Sequence, residues 1–393
     1  MSFSFAFDVA ADELDDELDL PIQQLSLSET PQASGSGSAV PHKKVPLSEL
    51  LETLPPLLSY TAVTVPLSSK GVQSSRQLHL LRRDLFDARF QVLNQDDSEE
   101  EGEKPVEGKG KQKEELFIDE QTDLVKGVYE GGLKTWECSL DLVDCLDSRG
   151  YVVDAELDTP RVRGTSILEV GCGTAVPSCA LFFRLLNEIR KAPTNPDAHK
   201  PQKTRIHLQD YNKQVLTLIT LPNLLLTYAQ HLASPSTAPD ADEDPATSAP
   251  DPGELEVTPE FLESFESLLE RENIELLFSE GDWSGMDEAV RAEEGQGYDL
   301  VLTSETVYSV PSLRPLLNLL EAACEGASSP LCLVACKRIY FGVGGGELEF
   351  RRQVEERGGE VEAVWGQGEG KGKSSGVGRT VMSVQWKKGE EEA

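Results

Sequence analysis

The sequence predicts an α/β fold of Rossmann-like type: a seven-stranded, mostly parallel sheet with helices on both faces and a C-terminal antiparallel hairpin. Three observations lead there. Residues 165–175, TSILEVGCGTA, form a short apolar run that ends in a carboxylate and breaks into glycines just ahead of the helical Leu and Phe spacing of residues 176–190. A second run, residues 205–210, also ends in a carboxylate, Asp210. Strand and helix patterns then alternate as far as two closing strands, 361–365 and 380–386, separated by a Gly- and Lys-rich loop.

The first strand and its turn set the chemistry. Gly171 and Gly173 let the backbone turn sharply and approach a ligand, while Glu169 at the strand end can accept hydrogen bonds from ribose hydroxyls or an amino group. Such a turn suits a nucleoside. A dinucleotide turn, Gly-x-Gly-x-x-Gly, would need glycine where Val176 stands and a free helix N-terminus where Pro177 follows. The carboxylate-first order, Glu-x-Gly-x-Gly-x, is that of S-adenosylmethionine (SAM) enzymes of the seven-strand type, with Ala175 in place of the usual third glycine. Taken alone, the turn is equally compatible with an ordinary strand-to-helix connection.

The other elements follow in chain order. Residues 1–44 open with Phe3, Phe5 and Phe7 alternating with small residues, turn acidic and end in Ser-Gly repeats, which predicts a disordered tail. Residues 45–95, with Leu47, Leu50, Leu51 and Leu54 and then Leu78, Leu80, Leu81 and Leu85, are expected to form short helices and a strand that pack on the core. Residues 96–115 read as a charged linker and residues 116–388 as the main domain. Within it, a Gly-Gly turn feeds a Trp136-bearing helix able to cover the ligand; Trp136 as plain core is the competing reading. Residues 213–230 read as a helix that Pro222 kinks or divides, and the Pro-, Ala- and Asp-rich stretch 233–256 as a disordered insertion.

A helix over 261–271 and a strand over 274–278 lead to Gly281-Asp282-Trp283. An acid beside an aromatic there can hydrogen-bond an adenine amino group and border its flat face; a turn cap at Asp282 with Trp283 in the core is the alternative. The strand over 298–303 runs into Ser304-Glu305-Thr306-Val307-Tyr308, and a helix over 313–323, a strand over 331–335 and a helix over 347–357 complete the alternation. Ligands of open α/β sheets lie across the carboxyl ends of the strands at the switch point. Glu169 and Asp210 are therefore expected side by side, suited to two ribose hydroxyls.

Composition narrows the function classes. The formal charge of −33 over 393 residues argues against a generic nucleic-acid binder, because phosphate contacts need surplus Lys and Arg. The seven cysteines contain no CxxC pair and fit neither a zinc site nor a disulfide framework; small buried hydrophobes are expected, and no metal. The start lacks the basic and apolar regions of a secretion signal, and no apolar run approaches the roughly 20 residues of a membrane span. A soluble protein of a reducing compartment, monomeric by default, is expected.

The strings DLVKGVYEGGLKTWECSLDL, ILEVGCG, LQDYN, TLPN, GDW, YDLVLTSETVY and YFGVGGGELEF resemble the protein-histidine methyltransferase family of seven-strand SAM enzymes. The resemblance spans residues 123–386 and the Phe-rich start. It implies methyl transfer from SAM to the tele nitrogen (Nε2) of a histidine in the third protein of the large ribosomal subunit, with effects on ribosome assembly and translation. Cytoplasmic and nuclear, including nucleolar, residence goes with such a substrate. By the family pattern Thr135, Trp136, Glu137, Cys138 and Ser139 border the cofactor, with Gly171 beneath it; Glu169 and Gly173 are expected there from the chemistry of the turn itself. Asp210, Tyr211 and Asn212 lie at its ribose and adenine side, Gly281, Asp282 and Trp283 at the adenine, and Ser304 near the methionine end.

The acceptor chemistry singles out a few further residues. A sulfonium methyl is already activated, so alignment with a free acceptor lone pair is the main requirement. Histidine, with a pKa near 6.5, is largely neutral at pH 7 and needs an orienting partner for Nδ1–H more than a strong base. Glu305, Tyr308 and Tyr340, at strand ends, are the candidates. Glu305 to Tyr308 also matches the acid-x-x-Tyr pattern of protein-lysine methyltransferases, the competing enzyme reading, and a non-catalytic SAM-binding assembly factor is a third. The Asn-Pro-Pro-Tyr loop of many base- or glutamine-methylating enzymes is absent.

Overall fold

Successive residues of the central strands point to opposite faces and are buried on both, dividing the core into two layers, one on each face of a single large sheet. The computed structural model describes residues 40–68, 76–84, 132–153, 160–192, 201–234, 249–292, 297–341, 344–366 and 378–386. The Phe-rich start and the linker 96–115 lie outside them. In chain order the elements are β1 (Lys43–Val45), α1 (Leu47–Leu51), β2 (Leu57–Leu67), β3 (Arg76–Arg83), α2 (Glu137–Asp147), β4 (Ser166–Val170), α3 (Val176–Lys191), β5 (Thr204–Asp210) and α4 (Lys213–Ala233). Then follow β6 (Gly253–Glu256), α5 (Pro259–Arg271), β7 (Ile274–Glu280), α6 (Met286–Ala292), β8 (Leu300–Ser304), α7 (Val310–Cys324), β9 (Leu331–Lys337), α8 (Glu347–Glu356), β10 (Glu360–Gly366) and β11 (Arg379–Gln385).

The large sheet runs β1-β7-β5-β4-β8-β9-β11-β10. Strands β7, β5, β4, β8 and β9 are mutually parallel, and β11 and β10 close the edge antiparallel. All seven strands read from the sequence are present. An eighth, β1, comes from the stretch at the edge of the expected disordered tail and pairs antiparallel with β7, Lys43 opposite Glu280. The order reverses at β4, which has β5 on one side and β8 on the other, so the crevice at the carboxyl ends opens there.

Side-chain alternation explains the layers. Ile167, Leu300, Leu302 and Leu333 face apolar residues of α2, α3, α4 and α5, whereas Leu168, Val170, Val301 and Val334 face those of α6, α7 and α8. All seven cysteines are buried free thiols within these layers or beside them.

Residues 213–233 form one helix where a kink or a break was expected. Pro222 offers no N–H, and the helix meets this by widening to a π turn over Leu216–Thr220. The widened turn also lets Thr220 Oγ1 donate to Gly173 O at 2.7 Å. By length and composition α4 could cross a bilayer, but 78% of its apolar window is buried inside the protein.

A second sheet, β3-β2-β6, covers one side of this core. Gly253–Glu256, within the stretch expected to be disordered, is its third strand, paired with β2 from Leu57 to Tyr60. Gln230 of α4 docks this sheet by accepting from Leu81 N at 3.2 Å and donating to His79 O at 2.7 Å.

Candidate active site

A cavity of about 370 Å³ opens at the carboxyl ends of β4, β5 and β8, within the size range of small-molecule sites. Its wall begins with the glycine turn. Gly171 has φ +63°, and a Cβ there would stand 2.7 Å from Thr306 Cγ2. Gly173 has φ +50° and lies under Gly132, whose carbonyl oxygen a Cβ would meet at 3.2 Å. These two positions need glycine because the loop ahead of α2 and the turn after β8 close directly upon them.

The opposite wall is organised by Gln209, buried at the end of β5. Its Oε1 accepts from Gly171 N at 3.1 Å and from Trp283 Nε1 at 2.9 Å, and its Nε2 donates to Gly281 O at 2.9 Å. One amide thus ties the turns after β4 and β7 together. The neighbouring Asp210 accepts from Gly173 N at 3.0 Å and from Asn212 N at 3.2 Å while lining the cavity. Asp282 both lines the cavity and caps its own turn, accepting from Ser284 N at 2.7 Å. The segment just ahead of β1 reaches this rim as well, with Val40 O accepting from Asp282 N at 2.8 Å.

Beyond β8 the wall turns polar. Glu305 follows the strand with φ +59°, a left-handed conformation that side-chain-bearing residues seldom hold and that marks a locally constrained position. Glu305 Oε2 accepts from the Tyr340 hydroxyl at 2.5 Å, and that hydroxyl accepts from Lys337 N at 3.2 Å. Burial, then the Glu305 charge, pushes the Tyr340 pKa well up, so the phenol stays protonated and donates. Glu305 Oε1 is buried and has no hydrogen-bond partner among the described residues; Lys337 Nζ is 3.6 Å away, an ion-pair distance. Lys337 Nζ also stands 3.7 Å from Glu137 Oε2 and 4.8 Å from the centre of the Trp136 ring. Tyr308 lines the cavity with its ring 6.4 Å from that of Tyr340.

Trp136, Ser139, Gly171, Gly173, Asp210, Tyr211, Asp282, Trp283 and Ser304 all line the cavity, as do Glu305 and Tyr308. The others stand behind it. Thr135 donates to Thr174 at 3.2 Å, Glu137 pairs with Lys337, and Cys138 is fully buried, its thiol held protonated by burial and by the Glu305 charge. Asn212 Nδ2 is buried without a hydrogen-bond partner among the described residues, Gly281 lies beneath Pro41, and Tyr340 acts through Glu305.

Glu169 departs from the expectation most clearly. It shares the face of Ile167, so its carboxylate turns under the first turn of α3, where it accepts from Ser178 N at 3.0 Å and from Ser178 Oγ. It does not stand beside Asp210 at the cavity wall. Burial raises its pKa to about 7. Sequence reasoning also passed over Gln209, which stands in the LQDYN string but was given no role there, and the wall residues Lys134, Thr174, Thr306, Ser309, Pro311, Ser312 and Pro315.

The donor set fits a nucleoside with a charged tail. Aromatic edges from Tyr211 and Trp283 and the carboxylates of Asp210 and Asp282 stand on one side, the two glycines allow close backbone approach, and Ser304 and Glu305 stand on the other.

No protein-family model matches the chain. Among curated proteins, histidine protein methyltransferase 1 of Schizosaccharomyces pombe is 34% identical over 316 residues, covering 79% of this chain and 76% of the relative. Histidine protein methyltransferase 1 of Saccharomyces cerevisiae is 32% identical over 282 residues, covering 71% and 69%. A homolog from Bos taurus is 33% identical over 242 residues, covering 60% and 51%. On this identity, sustained over more than two thirds of both yeast proteins, the chain belongs to the histidine protein methyltransferase family.

Proposed function

We propose that the chain methylates the tele nitrogen of a histidine in the third protein of the large ribosomal subunit, with SAM as methyl donor, and thereby affects ribosome assembly and translation. When bound, SAM supplies an activated methyl group, leaving as S-adenosylhomocysteine once the sulfur–carbon bond is exchanged for a nitrogen–carbon bond. Asp210, Tyr211, Asp282 and Trp283 hold its nucleoside, the Gly171 and Gly173 backbone its middle, and Ser304 its amino-acid end.

The observation that carries the reading is the Glu305 carboxylate at the cavity wall, held by Tyr340 through one oxygen, while the other faces Lys337 Nζ at 3.6 Å and accepts no hydrogen bond from the described residues. A carboxylate so placed accepts Nδ1–H of a neutral imidazole and leaves Nε2 facing the methyl group with its lone pair free. Attack through Nε2 makes a methylimidazolium whose remaining proton, on Nδ1, passes to Glu305 or on to water. A lysine acceptor would first have to lose a proton at a pKa near 10.4, a task that needs a base rather than an orienting acceptor. A net charge of −33 also suits a basic protein substrate. On this reading the enzyme works as a monomer in cytoplasm and nucleus and needs no direct contact with nucleic acid or membrane.

Purified chain and labelled SAM, added to ribosomal proteins from cells lacking the enzyme, test the substrate. Label is expected in the third large-subunit protein; label confined to other proteins contradicts that assignment.

A further inference from the structure

Seven large apolar side chains are exposed among the described residues, and four of them, Val310, Ile339, Phe341 and Leu348, belong to segments that pair with one another, 307–310, 338–341 and 344–350. Phe341 is 67% exposed and Leu348 80%. Scattered single apolar residues need no explanation, but a cluster does.

The cluster sits on a loop locked to the active site. Residues 338–341 and 344–346 are zipped onto 307–310: Gly345 N donates to Tyr308 O at 3.1 Å, Tyr340 N to Gly345 O at 3.4 Å, and Gly344 pairs with Ser309, a cavity-wall residue. A Cβ on Gly345 would lie 2.2 Å from Tyr308 O, and one on Gly346, at φ +139°, 2.6 Å from Arg338 O. The glycine run is therefore required by close backbone packing, which fixes the loop. Tyr340 turns inward to Glu305, while its chain neighbours Ile339 and Phe341 stay exposed and make the lip of this loop.

We propose that this lip is a docking surface for an extended segment of the protein substrate, and that it reads a large apolar or aromatic side chain flanking the target histidine. The proposal rests on the functional reading above. A histidine of a protein that enters the cavity brings its neighbours across the rim. Because Ser309 lines the cavity and also pairs with Gly344, the lip begins about one strand spacing, roughly 5 Å, from the wall. At about 3.3 Å per extended residue, the lip is reached within one to four residues of the histidine.

Eleven-residue peptides with a central histidine in a Gly/Ser/Lys background, carrying either Trp or Ser at each position within four residues of it, test the lip with full-length enzyme and labelled SAM. A Trp-flanked peptide is expected to exceed its Ser counterpart about tenfold in kcat/KM, the scale of burying one large apolar side chain. The Phe341→Ser/Leu348→Ser variant is expected to lose that ratio while its affinity for S-adenosylhomocysteine is retained. Equal use of Trp and Ser peptides by the wild type, or an undiminished ratio in the variant, overturns the lip. So does self-association that the variant abolishes with the ratio unchanged, which assigns the surface to a second copy of the chain. If no peptide is methylated but whole ribosomal protein is labelled on histidine, the lip fails and the functional reading stands; label on lysine overturns the reading itself.

Discussion

The Tyr340 hydroxyl donates a 2.5 Å hydrogen bond to Glu305 Oε2, across 35 residues of sequence, and so fixes the acceptor at the cavity wall. Tyr340→Phe removes that donor and leaves a buried carboxylate oxygen unpaired. A hydrogen bond to a charged group contributes about 1.5–3 kcal/mol, so kcat is expected to fall roughly 10- to 100-fold with cofactor affinity nearly unchanged. Steady-state kinetics with direct cofactor titration checks this; an equal loss in cofactor affinity would make Tyr340 part of the cofactor site instead.

Gln209 makes three hydrogen bonds to two different turns. Gln209→Leu keeps much of the volume and removes all three partners. Cofactor dissociation is expected to be at least tenfold faster, with a stability loss of roughly 2–4 kcal/mol from the stranded backbone groups. Stopped-flow release of S-adenosylhomocysteine and denaturant unfolding measure the two effects separately.

Gly171→Ala forces a Cβ to 2.7 Å from Thr306 Cγ2 at φ +63°. The backbone strain alone costs about 1–3 kcal/mol. Adding Thr306→Ser removes the clashing methyl yet keeps the hydroxyl that bonds Thr303 at 2.7 Å. The double variant is expected to regain part of the stability lost by Gly171→Ala but not all of it, as thermal unfolding would show.

Much of the fold was legible because short uninterrupted apolar runs mark strands buried on both faces, such as residues 300–304, and a 3.6-residue period marks helices such as α3. Local composition misled at residues 253–256, GELE, whose strand exists only because β2 offers a partner. Many cavity residues were found through the selective strings, whereas Gln209, although it stands in LQDYN, was given no role, since the two turns its amide ties together are brought near it only by the fold. Glu169 was assigned to the ligand from its place at a strand end. What decides its direction is parity with Ile167 and the presence of Ser178 beneath it, both of which require the tertiary arrangement.

That buried position gives a pH signature. Glu169 titrates at about 7 in the folded protein, against 4.5 in a free chain. Between those values the folded state keeps a proton that the unfolded chain has released, so stability declines as pH rises through this window and the penalty is complete above 7. The gap corresponds to roughly 3 kcal/mol. Glu169→Gln keeps an acceptor for Ser178 and abolishes the titration. Relative to this variant, the wild type is expected to lose stability from pH 4.5 to 7.5 in denaturant unfolding; parallel pH profiles for the two proteins contradict the assignment.

The most direct measurement is complete hydrolysis of the enzymatically labelled protein, followed by chromatographic separation of tele-methylhistidine, pros-methylhistidine and the methyllysines. With Glu305 accepting Nδ1–H and Nε2 facing the methyl group, the label belongs in tele-methylhistidine, and Glu305→Gln should lower its yield without shifting it to another product. Label in pros-methylhistidine would mean that the imidazole binds with its two nitrogens exchanged, and label in methyllysine that Glu305 serves a different acceptor.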